Sequence, residues 1–221
     1  MTEEKLNELK NYFKDKKVLL VGNSSDLMNS PPEVAETIDK KYDIVLRFGA
    51  GVPNTEERIK RIGKRTNIWA FGCMRSKHHG WFQHADYFFY IYGSIKKGPY
   101  EHMKEKYSGD NPSLPELVEI NSREEREQFI KDSGIKRPST GNLMVNFLVN
   151  KIGTYKKLSL IGFDFFSCEA PKINGKKGSK SFHKTTKAYD VHKGGVEKEW
   201  TMKLKRKGKL KILKFKAQDL D

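Results

Sequence analysis

The feature that most constrains this chain is its punctuation: apolar runs of strand length alternate with longer segments patterned at helical spacing. Lys17-Val-Leu-Leu-Val21 stops abruptly at Gly22, which is how a strand buried on both faces delivers its loop. Ile44–Phe48, Asn67–Phe71, Tyr87–Tyr92 and Leu158–Phe163 read as further strands, and the aromatic Tyr87–Tyr92 run is rich in β-prone residues. Between them, Leu6, Leu9 and Phe13 recur at helical spacing and predict a helix over residues 3–14. Pro31 and Pro32 open a second helix through Ile38, and Thr55–Ile62 reads as a short one. Ser122 followed by Glu125 is a capping box, and the helix it starts runs to Asp132. Ser139 or Thr140 caps another, with Leu143, Val145, Phe147 and Leu148 on its apolar face and Gly153 placed to end it. A charged helix over Val196–Arg206 and a strand over Leu210–Phe215 close the pattern. The polar stretch Ile95–Pro115 holds Gly98, Pro99, Gly109 and Pro112 and reads as loop or lid-like structure.

Such alternation predicts an α/β fold: a mostly parallel sheet with helices on both faces. The length, 221 residues, suits a single domain over the whole chain. In open parallel sheets ligands bind beyond the carboxyl ends of the strands. The turns expected there are Gly22-Asn23-Ser24, Gly49–Gly51, Pro138–Gly141 and Asp164–Ser167.

Composition narrows the partners. No apolar stretch approaches the roughly 20 residues of a membrane span, and MTEEKLNELK has none of the apolar character of a secretory signal. Cys73 and Cys168 are the only cysteines, too few for a disulfide framework or a zinc cluster; two reduced thiols in a cytoplasmic protein is the expectation. The net charge is +15, and from Lys151 onward there are 19 lysines and arginines against 7 acids. Between Lys172 and Lys216 the balance is 16 against 3. A field of that size attracts a polyanion such as nucleic acid, phosphorylated glycan or anionic membrane. The plainer reading is a solvated face.

Three segments carry chemistry. Gly22-Asn23-Ser24 follows a buried strand, so a ligand can approach the backbone and meet exposed amides. It lacks the G-x-G-x-x-G spacing of a dinucleotide turn. Arg137-Pro-Ser-Thr-Gly-Asn142 precedes an apolar helical run, and a helix N-terminus favours an anion through its free N–H groups and dipole. In His192-Lys-Gly-Gly-Val-Glu197 a histidine that titrates near neutrality can take a proton from an attacking hydroxyl.

Taken together these segments resemble those of one family. Val18–Ser24, then Ile38-Asp39, Ile44-Val-Leu-Arg47 and Ile62-Gly-Lys-Arg-Thr66, resemble the long motif of the sialyltransferases. Pro138-Ser-Thr-Gly141 with Leu160-Ile-Gly-Phe163 looks like their short motif, and Val191–Glu197 is similar to their H-x-x-x-x-E motif. All three occur in family order. The resemblance implies a Rossmann-like glycosyltransferase domain of the type A variant. It implies metal-independent, inverting transfer from a CMP-linked sugar, with no cofactor beyond that nucleotide-sugar substrate. By residue, Gly22, Asn23 and Ser24 would bind the donor nucleotide and its phosphate, and Ser139, Thr140 and Gly141 would hold the nucleotide. His192 would be the catalytic base, His183 the second catalytic histidine aimed at the donor phosphate, and Glu197 a support for the base.

The departures are specific. Cysteines that secretory members pair, before V-G-N-S and after P-S-T-G, are missing at Lys17–Val18 and Lys151–Lys156. That fits a cytoplasmic relative from a bacterium or an infecting phage. The family's asparagine after V-L-R-x is Gly49 here, which leaves the transferred sugar open. The only D-x-D is Asp219-Leu-Asp221 at the chain's end, where a frayed tail is the ordinary reading, so no catalytic metal is expected. For the acceptor, the basic tail with its aromatic residues, Lys203, Lys205, Arg206 and Lys207 among its cations, suits a DNA backbone carrying hydroxylated bases. A glycan terminus is the alternative, and a non-catalytic nucleic-acid-binding module is the reading from outside enzymology.

Overall fold

The computed structural model describes residues 1–49, 51, 53, 55–72, 85–91, 115–165 and 194–214. The Ile95–Pro115 stretch, apart from Pro115, lies outside them, as do His183, His192 and the tail before Gly194 and beyond Lys214. In chain order the elements are α1 (Glu3–Phe13), β1 (Lys17–Val21), α2 (Ser25–Met28), α3 (Pro32–Lys40), β2 (Ile44–Phe48), α4 (Glu56–Ile62), β3 (Ile68–Phe71) and β4 (Tyr87–Ile91). There follow β5 (Glu116–Ile120), α5 (Arg123–Ser133), α6 (Thr140–Phe147, continued as π-helix over Leu148–Ile152), β6 (Lys157–Ile161), α7 (Gly194–Arg206) and β7 (Lys211–Ile212).

All seven strands pair in parallel, in the order β5-β4-β3-β2-β1-β6-β7. This is an α/β, Rossmann-like arrangement, as the alternation of strands and helices predicts. The two-residue period of β1 shows how both faces are used. Val18 and Leu20 join Leu9 and Phe13 of α1 and Val145 and Leu148 of the α6 helix in one core. Leu19 and Val21 point the other way, into a core with Val34 and Ile38 of α3 and Ile62 of α4. Leu9 and Phe13, four apart, are fully buried, each contributing about 1.5–3 kcal/mol.

Local chemistry sets the helix ends. Ser122 and Glu125 form the reciprocal capping box: Ser122 N donates to Glu125 Oε2 at 2.8 Å and Glu125 N donates to Ser122 Oγ at 3.3 Å. Ser139 caps α6, accepting from Asn142 N at 3.2 Å, and Gly153 follows its π-helical end. The sequence pattern did not disclose β5, where Glu116 and Glu119 interrupt the apolar residues of an edge strand. The last helix begins at Gly194, ahead of the expected Val196, and β7 is only Lys211–Ile212. No helix among the described residues is long and apolar enough to cross a membrane.

Candidate functional site

The chain leaves β1 toward β2, β3, β4 and β5 on one side, and returns to β6 and β7 on the other. The switch therefore lies between β1 and β6, and the crevice beyond their carboxyl ends is where such sheets bind ligands. Here two glycine turns close on each other. Gly22 N donates to Ile161 O at 2.8 Å and Ser24 N to Gly162 O at 3.1 Å. A Cβ on Gly22 would stand 2.2 Å from Gly162 O, so only glycine lets the two turns approach this far. Of the three amides in Gly22-Asn23-Ser24, that leaves Asn23's without an acceptor among the described residues. The Asn23 side chain ties the turn to β2, its Nδ2 donating to Phe48 O at 3.2 Å.

Phe163, the last residue of the Leu160-Ile-Gly-Phe163 segment, is the hub. Its ring lies 3.0 Å from the Cβ position of Gly22 and 2.9 Å from that of Gly141. It also meets Phe48 edge to face at 5.7 Å between centroids. One ring thus spaces the β1 turn, the β2 end and the start of α6.

α7 reaches the same place through Glu197. Its Oε1 accepts from Ser139 N at 2.6 Å and its Oε2 accepts from the Ser139 hydroxyl at 2.9 Å. The hydroxyl of Thr201, one turn further on, donates to Glu197 O at 2.9 Å and lies 3.2 Å from Asn142 Oδ1. A buried carboxylate from one helix therefore caps the N-terminus of another, where the dipole favours negative charge. Burial pushes the Glu197 carboxyl up to about 7, against the hydrogen bonds from Ser139 and Asn142 that hold it down. Thr140 and Gly141, half-buried beside Ser139, occupy the first turn of α6.

A concavity of about 10 Å³ opens at the β1 turn, lined by Gly22, Asn23, Ser24, Leu27, Gly51, Arg58 and Ile62. It has room for one water-sized group, such as an oxygen of a phosphate, not for a nucleotide. Arg58 is the residue that the sequence reading missed. It is 5 % exposed, and burial pushes its pKa down. The spacing contained the signal: Arg58 and Ile62 are four apart and share the buried face of α4, which puts a cation on an apolar stripe.

The segments around Asp39, Arg47 and Ile62–Thr66 build a support. The Arg47 guanidinium is fully buried; its Nε donates to Arg65 O at 2.8 Å and its Nη2 to Ile62 O at 2.6 Å. The Asp39 carboxylate accepts from Lys64 N and Arg65 N, both at 2.9 Å. Gly63 takes φ of 71°, and a Cβ there would stand 2.5 Å from Asp39 Oδ1. These contacts pin the turn between α4 and β3, and with it α4 and Arg58. No protein-family model matches the chain, and no curated protein matches it either.

The sequence-predicted site residues thus divide. Gly22, Asn23, Ser24, Ser139, Gly141 and Glu197 are joined through Phe163 and direct hydrogen bonds. Lys203, Lys205 and Arg206 belong to the far end of α7 and Lys207 follows it: Arg206 is nine residues past Glu197, about 14 Å along the axis. Two positions after His192 in sequence, Gly194 is buried at the start of α7.

Proposed function

We propose that the protein is an inverting glycosyltransferase that moves a sugar from a nucleotide donor, CMP-linked by the resemblance stated above, to an acceptor hydroxyl. The observation that carries this reading is the Glu197–Ser139 pair, 58 residues apart in sequence, with hydrogen bonds of 2.6 and 2.9 Å. It joins two of the three matched segments, and Phe163 brings in the third at Gly22. In this reading His192 takes the proton of the acceptor hydroxyl, whose oxygen forms a bond to the anomeric carbon. The bond from that carbon to the phosphate breaks on the opposite face, and the nucleotide leaves with the electron pair. Asn23, whose amide has no acceptor among the described residues, and Arg58 both line the concavity at this turn, and the amide and guanidinium would meet the charge that grows on the leaving phosphate. Glu197 would fix the start of α7 and so the backbone that carries the base.

Charge favours DNA with hydroxylated bases as acceptor. The placement of Lys203–Lys207 along α7, about 9–15 Å beyond Glu197, favours a second reading, a glycan terminus at the site with the cations serving elsewhere. Radiolabelled CMP-sugars offered with hydroxymethylated DNA and with simple glycans test both. His192→Ala should lower turnover by roughly 10²–10⁴-fold with the fold and nucleotide affinity retained. Retention of more than about a tenth of turnover removes His192 as base, and transfer to neither acceptor removes the glycosyltransferase reading.

A further inference from the structure

The amino ends of the same strands hold a second feature. Lys17 of β1 stands in register with Lys157 of β6, and Lys156 N donates to Lys16 O at 2.9 Å. Two pairs of consecutive lysines are therefore side by side on adjacent strands, about 4.8 Å apart. Lys211 begins β7, opposite Ser159, the second residue after Lys157 on the neighbouring strand. Asp43 N donates to Lys17 O at 3.0 Å, which brings the segment after Lys41 to the same edge. Burial first, and then Lys211, Lys17 and Lys41, push the Lys157 pKa down. Lys16, Lys17, Lys41, Lys156 and Lys211 are exposed and Lys157 is half-buried. Asp15 and Asp43 are the acids next to these lysines, with Asp86 and Glu116 farther along at the starts of β4 and β5, and Asp43 is engaged by Lys17 N at 2.7 Å. The basic end of α7 runs into it through Lys209.

We propose that this lysine-lined edge is a docking surface for the phosphate backbone of double-stranded nucleic acid, separate from the carboxyl-end site. Close-set cations lower their mutual repulsion by binding a dense line of negative charge, and duplex DNA carries one charge per about 1.7 Å of axis. A membrane is the other polyanion, and this edge lacks what would insert into it. The exposed large apolar residues among those described are Met1, Ile59 and Val196, and none belongs to the strand starts. The strands are five residues long in β1 and β6, about 16 Å. A duplex held here is therefore bound by its backbone and does not present a base to the Gly22–Ser24 turn. The surface goes beyond the transferase reading, and binding can be measured without any transfer.

The test is fluorescence anisotropy of a labelled duplex of about 20 base pairs on the full chain, at salt from about 50 to 200 mM. Wild-type protein should bind with a steep negative log–log salt slope. The triple variant Lys17→Gln, Lys157→Gln, Lys211→Gln should bind about tenfold or more weakly, with the slope reduced by about 2–3. The matching triple arginine variant keeps the charges and should bind as wild type does. Unchanged affinity and slope in the glutamine variant overturn the proposal. So does equal loss in the arginine variant, since charge would not then be what is read. Binding to phosphatidylserine vesicles with no binding to duplex also overturns it, in favour of a membrane partner.

Discussion

The two ends of this one sheet are built from opposite materials. At the carboxyl ends of β1 and β6, glycines bring backbone against backbone: Gly22 lies against Gly162 and Gly141 against the Phe163 ring. One buried carboxylate, Glu197, is fully engaged there. At the amino ends the same two strands start with Lys17 and Lys157 in register, the first exposed and the second half-buried. Shape governs the first end, where a single methyl group has nowhere to go. Charge governs the second, where side chains are replaceable but salt decides how strongly they act. Substitutions at the two ends should accordingly fail in different observables, stability for one and salt-dependent affinity for the other.

Gly22→Ala should show the largest effect. The new Cβ would stand 2.2 Å from Gly162 O, a backbone atom fixed by the β1–β6 pairing that ends at Val21 and Ile161. Strands must separate locally, and the cost should be about 3–4 kcal/mol in urea unfolding. Lys17→Gln, at the other end of the same strand, should stay within about 0.5 kcal/mol. Equal small losses at both positions would erase the contrast between the ends.

Glu197 should give the next effect, visible as pH dependence. Its carboxyl is pushed up to about 7 from an ordinary 4.5, so the folded protein holds a proton that the unfolded chain releases. The stability this contributes is complete below about pH 4.5 and is lost as pH rises through about 7, a total of about 3 kcal/mol. Glu197→Gln resembles the protonated form and has no such loss. The difference in unfolding free energy between wild type and variant should therefore decline across that window. A flat difference would mean that the donors from Ser139 and the start of α6 keep the carboxylate ionised throughout.

How much of this was legible in the sequence differs between the ends as well. β1 to β4 and β6 announce themselves, because strands buried on both faces have unbroken apolar runs that stop at turn residues. β5 does not, since in this edge strand the exposed Glu116 and the half-buried Glu119, on opposite faces, break the apolar run. The turns Gly22–Ser24 and Ser139–Gly141 were legible because a small polar turn after a strand, or before an apolar helix, has few uses. Phe163 was legible only as the end of a strand and of the Leu160–Phe163 segment that resembles the short motif, and Arg58 only as part of a helix. Each acquires a role from neighbours more than 20 residues away in sequence. The amino-end lysines were illegible for the same reason: Lys16–Lys17, Lys41, Lys156–Lys157 and Lys211 are dispersed, and parallel pairing alone collects them. The contiguous basic tail drew the eye to α7, whose cations lie along a helix leading away from Glu197.

The smallest effect concerns Lys157 alone and probes the amino end without any ligand. Its ammonium lies 5.9 Å from the centroid of the Tyr42 ring and is pushed toward the neutral form by burial and by Lys211, Lys17 and Lys41. Lys157→Gln removes the repulsion and also the cation–π contact. At low salt, relief of like-charge repulsion between paired strand positions should dominate, with a gain of about 0.2–0.5 kcal/mol. Near 1 M salt the screening length falls to about 3 Å. The repulsion then fades, while the ring contact, being short-range, persists in the wild type. The sign should therefore reverse, with the variant about equal to or slightly less stable than wild type. Urea unfolding at both salt concentrations measures this directly. A variant less stable than wild type at low salt would show that the lysines at the strand starts do not repel one another, and would remove the electrostatic reason for a polyanion to settle there.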